Sequence, residues 1–299
     1  MDIGGVNMNI TNKNNLPEAL VEAARSNYKH KPNQYSASAL NVGATETVLK
    51  RRYHDQIESD VSDLVWAIFG TAIHKLIENQ EVGKKDLKEE HMVTEMGNAK
   101  ISGIIDYYNN DNNTITDYKT SSVWKIIHKD YTDWKNQLFI YAYNAVNNGY
   151  KVDYVQNIVF LKDHSKTKAK VDKSYPQHPV QVIKFKFGKK EYDYIEKFIL
   201  QKLKQIHKIE KVKTDKLPPC TKEERWYSGD IYALKKNGNK RAVKLYKSEK
   251  EAMKDHRYDP STHHIEFRPG VNKKCEEYCD AKEFCPFYKK IMGKEDLPF

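Results

Sequence analysis

Apolar residues recur at three- and four-residue steps over two long stretches of this chain and at alternate positions over several short ones. Over 62–80, Leu64, Val65, Ile68, Phe69, Ala72, Ile73, Leu76 and Ile77 follow the 3.6-residue period of a helix. Over 190–213 the stripe is Ile195, Phe198, Ile199, Leu203, Ile206 and Ile209, and the opposite face is mostly lysine. A third helix is expected over 132–147, stopped by Gly149, with shorter ones after Ser36 or Ser38 as caps and over 45–52. Strands are expected over 91–96, 100–108, 114–119, 154–162 and 180–187, with Gly97-Asn98 and the Asn-rich run at 109–113 as turns. Helices and strands mixed in this order place the chain in the α/β class. After Leu-Pro-Pro at 217–219 a hairpin (231–235 with 242–246), a helix boxed by Ser248 and Glu251, and a cysteine-rich tail read as a small separate module. The expected division is 1–34 as a partly disordered extension, 35–216 as the core, and 217–299 as the C-terminal cysteine-containing module.

At 299 residues the chain is long enough for one large domain with a smaller appendage. Its 51 Lys+Arg against 41 Asp+Glu give a formal charge of +10, which favours a polyanionic partner through counterion release. A lysine-coated surface without such a partner fits the same count. No apolar run approaches the roughly 20 residues that span a bilayer, so no membrane partner is expected. The start, Met-Asp-Ile-Gly-Gly, lacks a basic and apolar leader, and a reducing bacterial or phage-infected cytoplasm is the expected compartment. There Cys220, Cys275, Cys279 and Cys285 serve as ligands more readily than as disulfides.

The chemistry concentrates between Ile101 and Tyr141. Two β-rich runs are each expected to end in a carboxylate, Asp106 and Asp117, with Lys119 two residues beyond the second. Strand alternation puts Asp117 and Lys119 on one face and Tyr118 on the other. Hard Mg²⁺ or Mn²⁺ prefers such oxygen ligands, and a metal-activated water with a lysine nearby suits attack on a phosphodiester. Asp-x-Lys alone is commonplace in a chain this rich in both residues. The order of the wider set is what makes it informative.

That set reads Gly70-Thr-Ala-Ile-His74 on a helix, Gly103-Ile-Ile-Asp106 on a strand, Asp117-Tyr-Lys119 on a second strand and Gln137-Leu-Phe-Ile-Tyr141 on a helix. In kind and order it resembles the GxxxH, GxxD, (D/E)xK and QxxxY motifs of the RecB-like branch of the PD-(D/E)XK nucleases. The resemblance implies a restriction-endonuclease-like core, with a mixed central sheet flanked by helices. It implies His74, Asp106, Asp117 and the carbonyl of Tyr118 as ligands of Mg²⁺ or Mn²⁺. Lys119 would be the catalytic lysine, with Gln137 and Tyr141 positioning it or the scissile phosphate. Glu78 is either an orienting partner of His74 or a solvated surface residue. Trp124, Tyr131 and Trp134 fit either base stacking or core packing, core being favoured for Trp134. The basic helix at 190–213 and the Lys50–Arg52 cluster are candidate phosphate tracks.

Cys275-x₃-Cys279-x₅-Cys285 with Cys220 resembles the tails with which several RecB-like nucleases hold a 4Fe–4S cluster. In those relatives the first cysteine precedes the core, whereas residues 1–219 here contain none, so Zn²⁺ in a Cys₄ site is the alternative. The run Pro219-Cys-Thr through Lys240-Arg241-Ala to Arg268-Pro-Gly is similar to phage- and prophage-encoded nucleases of the superfamily. The expected function is a metal-dependent DNA nuclease leaving 5′-phosphate and 3′-hydroxyl ends. An exonuclease of recombination, repair or phage DNA processing is favoured, on single- or double-stranded DNA and with a helicase or recombination protein as partner. A structure-specific or restriction-like endonuclease is the alternative, and a non-catalytic nucleic-acid-binding protein of the same fold is the second.

Overall fold

In the computed structural model, residues 9–25, 31–78 and 81–293 are described, and the chain divides into two units, 1–212 and 213–299. The first unit runs β1 (Asn9–Thr11), α1 (Glu18–Ala24), β2 (Gln34–Ser36), α2 (Ala37–Leu40), α3 (Ala44–Arg52), β3 (Glu58–Asp60) and α4 (Val61–Glu78). It continues β4 (Leu87–Met96), β5 (Ala99–Asn109), β6 (Thr114–Ser121), α5 (Val123–His128), α6 (Thr132–Asn147), β7 (Tyr154–Leu161), α7 (Lys166–Val171), β8 (Val180–Lys186) and α8 (Lys189–Glu210). Part of the polar lead-in thus forms structure: β1 pairs in parallel with β3, and Thr11 and the Lys13 backbone N–H both donate to the Asp60 carboxylate at 2.8 Å.

Six strands build the central sheet, and their pairing is mixed, as expected. β4 runs antiparallel along nearly all of β5. The opposite edge of β5 is shared, because β2 pairs in parallel with residues 100–102 and β6 antiparallel with residues 107–109. Residues 103–106 therefore face a fork from which β6 has splayed away. β7 then pairs in parallel with β6, and β8 antiparallel with β7.

Helix α6 is enclosed along most of its length: Leu138, Phe139, Ile140, Ala142 and Ala145 are all buried in the main core. Apolar burial all round is the mark of a core helix rather than a surface one, with each large side chain contributing about 1.5–3 kcal/mol. Its end follows the expected rule, with Gly149 at φ 89° just past the last turn. Ile195, Ile199, Leu203 and Ile206 of α8 complete this core, as the sequence stripe indicates. Trp134 packs, half-buried, on a smaller cluster around Val123, Val159 and Leu161.

The cation cluster at the end of α3 makes contacts within the fold. Arg52 Nη2 donates to the carbonyls of Glu210 at 2.8 Å and Val212 at 2.7 Å, capping the C-terminus of α8, where carbonyls lack helical partners. Arg51 donates to the Gln34 carbonyl at 3.0 Å and lies over the Tyr35 ring, and Lys50 pairs with Glu46 at 3.1 Å.

The second unit holds a three-stranded antiparallel sheet, β9 (Ile231–Lys236) between β10 (Ala242–Tyr246) and β11 (His263–Arg268), with α9 (Glu249–Met253) and α10 (Pro286–Ile291). The hairpin and the Ser248 cap follow the sequence reading, while β11 and its pairing with β9 do not appear in it. Among the described residues no helix is long and apolar enough to cross a membrane.

Candidate active site

The fork between β5 and β6 is where the acidic residues meet. The last ladder pair is Tyr107 with Thr116, so the next position in register sets Asp106 opposite Asp117. Both acids lie inside their strands and not at the strand ends the sequence suggested, since β5 continues to Asn109 and β6 to Ser121. Where the ladder stops, the Tyr118 N–H donates to Asp106 Oδ2 at 2.8 Å, which fixes that side chain.

Asp117 is 2% exposed, and its charge is met on two sides. Lys119 Nζ lies 3.0 Å from Oδ1 and 2.8 Å from Oδ2, which the shared strand face requires. Asn157 Nδ2, from the register-opposite position on β7, donates to Oδ2 at 2.7 Å. Asn157 is fully buried and was not singled out by the sequence reading. Its signal was faint, because Asn157 stands beside a second carboxamide, Gln156, ahead of the apolar Ile158-Val-Phe-Leu161.

From α4, His74 reaches the same point. Its Nε2 lies 2.9 Å from the Tyr118 carbonyl oxygen, and Nδ1 lies 3.5 Å from Asp106 Oδ2. With the proton assigned to Nε2, the imidazole donates to that carbonyl. Gly70 faces β6 on the same helix: a Cβ there would lie 3.4 Å from Thr120 Oγ1, an ordinary contact, so space alone does not require glycine. The side chain of Glu78 lies outside the described residues.

The second helix motif is explained by packing. Gln137 Nε2 donates to Tyr141 Oη at 2.7 Å, one helical turn away. The Tyr141 ring packs against β5 at Gly103, where a Cβ would come within 2.7 and 2.8 Å of ring carbons. Gly103 and Tyr141 are thus one feature read from two motifs. Burial first, then the charges of Asp117 and Asp106, push the Tyr141 phenol far above its ordinary value, so it stays protonated. Burial and the Asp117 charge push the Asp106 carboxyl up to about 7, against the Tyr118 N–H, His74 and Lys119.

The donor set suits a hard divalent cation. The Asp106 carboxylate, the His74 imidazole and the Tyr118 carbonyl come together, with Asp117 in register opposite Asp106, and burial and the Asp117 charge hold Asp106 above its usual range. One further carboxylate arrives from β4: His74, Glu89 and Asp106 each place a ligand atom within 4.8 Å of the others.

In the second unit all four cysteines are half-buried. The Cys220 limb is tied to the tail by Lys274 N–H on the Arg225 carbonyl at 3.1 Å and by a bridge between Tyr227 and Asn272. Gly270 allows that closeness, because a Cβ would stand 2.6 Å from the Gly229 carbonyl oxygen. Among the described residues no three sulphurs lie within 4.8 Å of one another.

Trp124 is 59% exposed and stacks on His128, so it does not join the core.

The first unit is thus an α/β fold, a forked mixed sheet flanked by helices, and it carries the four motifs in their sequence order. No protein-family model and no curated protein sequence matches the chain. Among solved structures it is similar to a protein called SSO0001, with 16% identity over 62% of this chain and 82% of that one, and a TM-score of 0.46. An alkaline exonuclease from Laribacter hongkongensis aligns with 11% identity over 64% of this chain and 93% of its own, with a TM-score of 0.37. A phage-related exonuclease from Haemophilus somnus 129PT aligns with 16% identity over 56% and 72%, with a TM-score of 0.29.

Proposed function

We propose that this protein is a metal-dependent DNA nuclease, an exonuclease acting in recombination, repair or phage DNA processing. The observation that carries the reading is the fork itself. Asp106 and Asp117 face each other there, with Lys119 on Asp117 and His74 against Asp106. Burial and the neighbouring Asp117 charge hold the Asp106 carboxyl above its ordinary range, which a bound cation would relieve.

His74, Asp106, Asp117 and the Tyr118 carbonyl would hold Mg²⁺ or Mn²⁺. Such an ion supplies Lewis acidity at the phosphate and lowers the pKa of a bound water. Lys119 then offers an ammonium to the attacking water or to the charge that builds on the phosphate. Asn157 fixes the Asp117 carboxylate, and the Tyr118 N–H fixes that of Asp106, so neither has to reorganise during reaction. The protonated Tyr141, held by Gln137, is a hydrogen-bond donor at the edge of the same pocket. The exposed lysines of α8 are the phosphate track of this reading.

For the tail, we propose a 4Fe–4S cluster. What supports it is the resemblance of Cys275-x₃-Cys279-x₅-Cys285, with Cys220, to cluster-binding tails, and Zn²⁺ in a Cys₄ site is the alternative. Anaerobic purification with an absorbance scan near 400 nm tests it, and a colourless protein with one zinc per chain would overturn it.

End-labelled linear duplex, single-stranded DNA and a supercoiled circle, each with Mn²⁺, test the exonuclease reading. Linear DNA should be degraded from its ends and the circle left intact. Nicking or linearising of the circle would replace the exonuclease by an endonuclease.

A further inference from the structure

The β4–β5 ladder pairs Lys88 with Tyr107 and Glu90 with Ile105, so the position between them sets Glu89 against Asp106. Cross-strand neighbours share a face of the sheet, so Glu89 stands on the face that carries the acid pair. Its backbone has φ 48°, the left-handed region that is uncommon for a residue with a long side chain. The side chain is exposed, which places it at the solvent side of the centre.

We infer that Glu89 is a further ligand of the divalent cation, completing with His74 and Asp106 a set drawn from α4, β4 and β5. The inference rests on the metal-dependent reading above. Ligand atoms of the three residues lie within 4.8 Å of one another. Two oxygens bound to one Mg²⁺ at about 2.1 Å are at most about 4.2 Å apart, so small side-chain rotations close the set. Asp117 is engaged by Lys119 and Asn157 deep in the fork, whereas Glu89 offers a carboxylate from the exposed side. The Glu89 charge also adds to those of Asp117 and Asp106 in raising the Tyr141 phenol, as expected of a carboxylate facing the same pocket.

The test is Mn²⁺ titration of the metal-stripped full chain, followed calorimetrically and by the electron paramagnetic resonance of free Mn²⁺. Wild type, Glu89→Gln and Glu90→Gln are compared. Glu90 is the next exposed acid along β4, and alternation turns it to the other face. Glu89→Gln should weaken Mn²⁺ binding about tenfold or more, and Glu90→Gln should leave it unchanged. Equal affinity in wild type and Glu89→Gln, or no Mn²⁺ binding by wild type, overturns the inference. Should Glu89→Gln fail to fold, Glu89→Asn keeps the left-handed backbone and shortens the reach, and the same weakening is expected. DNA degradation measured on the same preparations separates the two claims. Glu89-dependent Mn²⁺ binding without cleavage sinks the nuclease reading alone. Asp117-dependent cleavage with Glu89-independent Mn²⁺ binding sinks this inference alone.

Discussion

Replacing Gly103 by Ala adds a single methyl group at the point where β5 and Tyr141 touch. That methyl would stand 2.7 and 2.8 Å from Tyr141 Cδ1 and Cε1, about 0.7 Å inside ordinary van der Waals contact. The ring cannot swing clear, because Tyr141 is 8% exposed and its hydroxyl is held by Gln137 at 2.7 Å. Either α6 or β5 must shift, an overpacking strain of about 1–3 kcal/mol. A displacement of that size at a reacting centre costs about a hundredfold in rate, and Asp106 lies three residues along the same strand. Urea denaturation should therefore show a lower midpoint at unchanged slope, and Mn²⁺-dependent DNA cleavage should fall steeply. In a Tyr141→Ala background the ring is absent, and Gly103→Ala should then cost less than about 0.5 kcal/mol. Wild-type stability and activity in Gly103→Ala, or the same cost in both backgrounds, would refute the packing argument.

Asn157→Ala removes the amide that donates to Asp117 from within the core, so a stability loss of about 1–3 kcal/mol and a ten- to hundredfold drop in cleavage are expected by denaturation and rate assay. Arg52→Ala strips the carbonyl cap from α8; it should lower stability by about 1 kcal/mol while DNA cleavage per folded molecule stays the same. Asp106 retains its proton in the fold up to about pH 7, while in the unfolded chain it ionises near its ordinary 3.8. The folded state binds the extra proton between those values, so metal-free protein should lose stability as pH rises from about 4 to about 7 and level off above. Urea midpoints in chelator at pH 5 and 7.5, compared with those of Asp106→Asn, isolate this contribution, and a wild type that parallels the variant would contradict it.

Much of the core was legible because its signals are local. The turn at Gly97-Asn98, the bounds of α6 and the apolar stripe of α8 each follow from neighbouring residues, and the structure keeps them. The motif residues were legible as kinds and spacings, and the fork brings His74, Asp106, Asp117 and Lys119 together. What escaped was set by partners distant along the chain. β1 has three residues, and its partner β3 lies 49 positions away, so no periodicity announces it. Arg51 and Arg52 look like any basic cluster until α8 ends beside them. Glu89 is one acid among many in a lysine- and glutamate-rich strand, and only its register against Asp106 marks it. Asn157 required knowing that β7 lies parallel to β6 with Asp117 opposite. The α4 stripe forms a helix as its period indicates, although Phe69 and Leu76 of that stripe are exposed.

On the proposed function, metal-dependent phosphodiester cleavage depends on Asp117 and Lys119 at the fork. Release of labelled nucleotides from linear DNA tests it most directly, with Mn²⁺ and with chelator, for wild type, Asp117→Ala and Lys119→Ala. Wild type should degrade the DNA only with Mn²⁺, and both variants should be inactive while still binding DNA. Undiminished cleavage by either variant, or none by a folded wild type with Mn²⁺, would contradict the account.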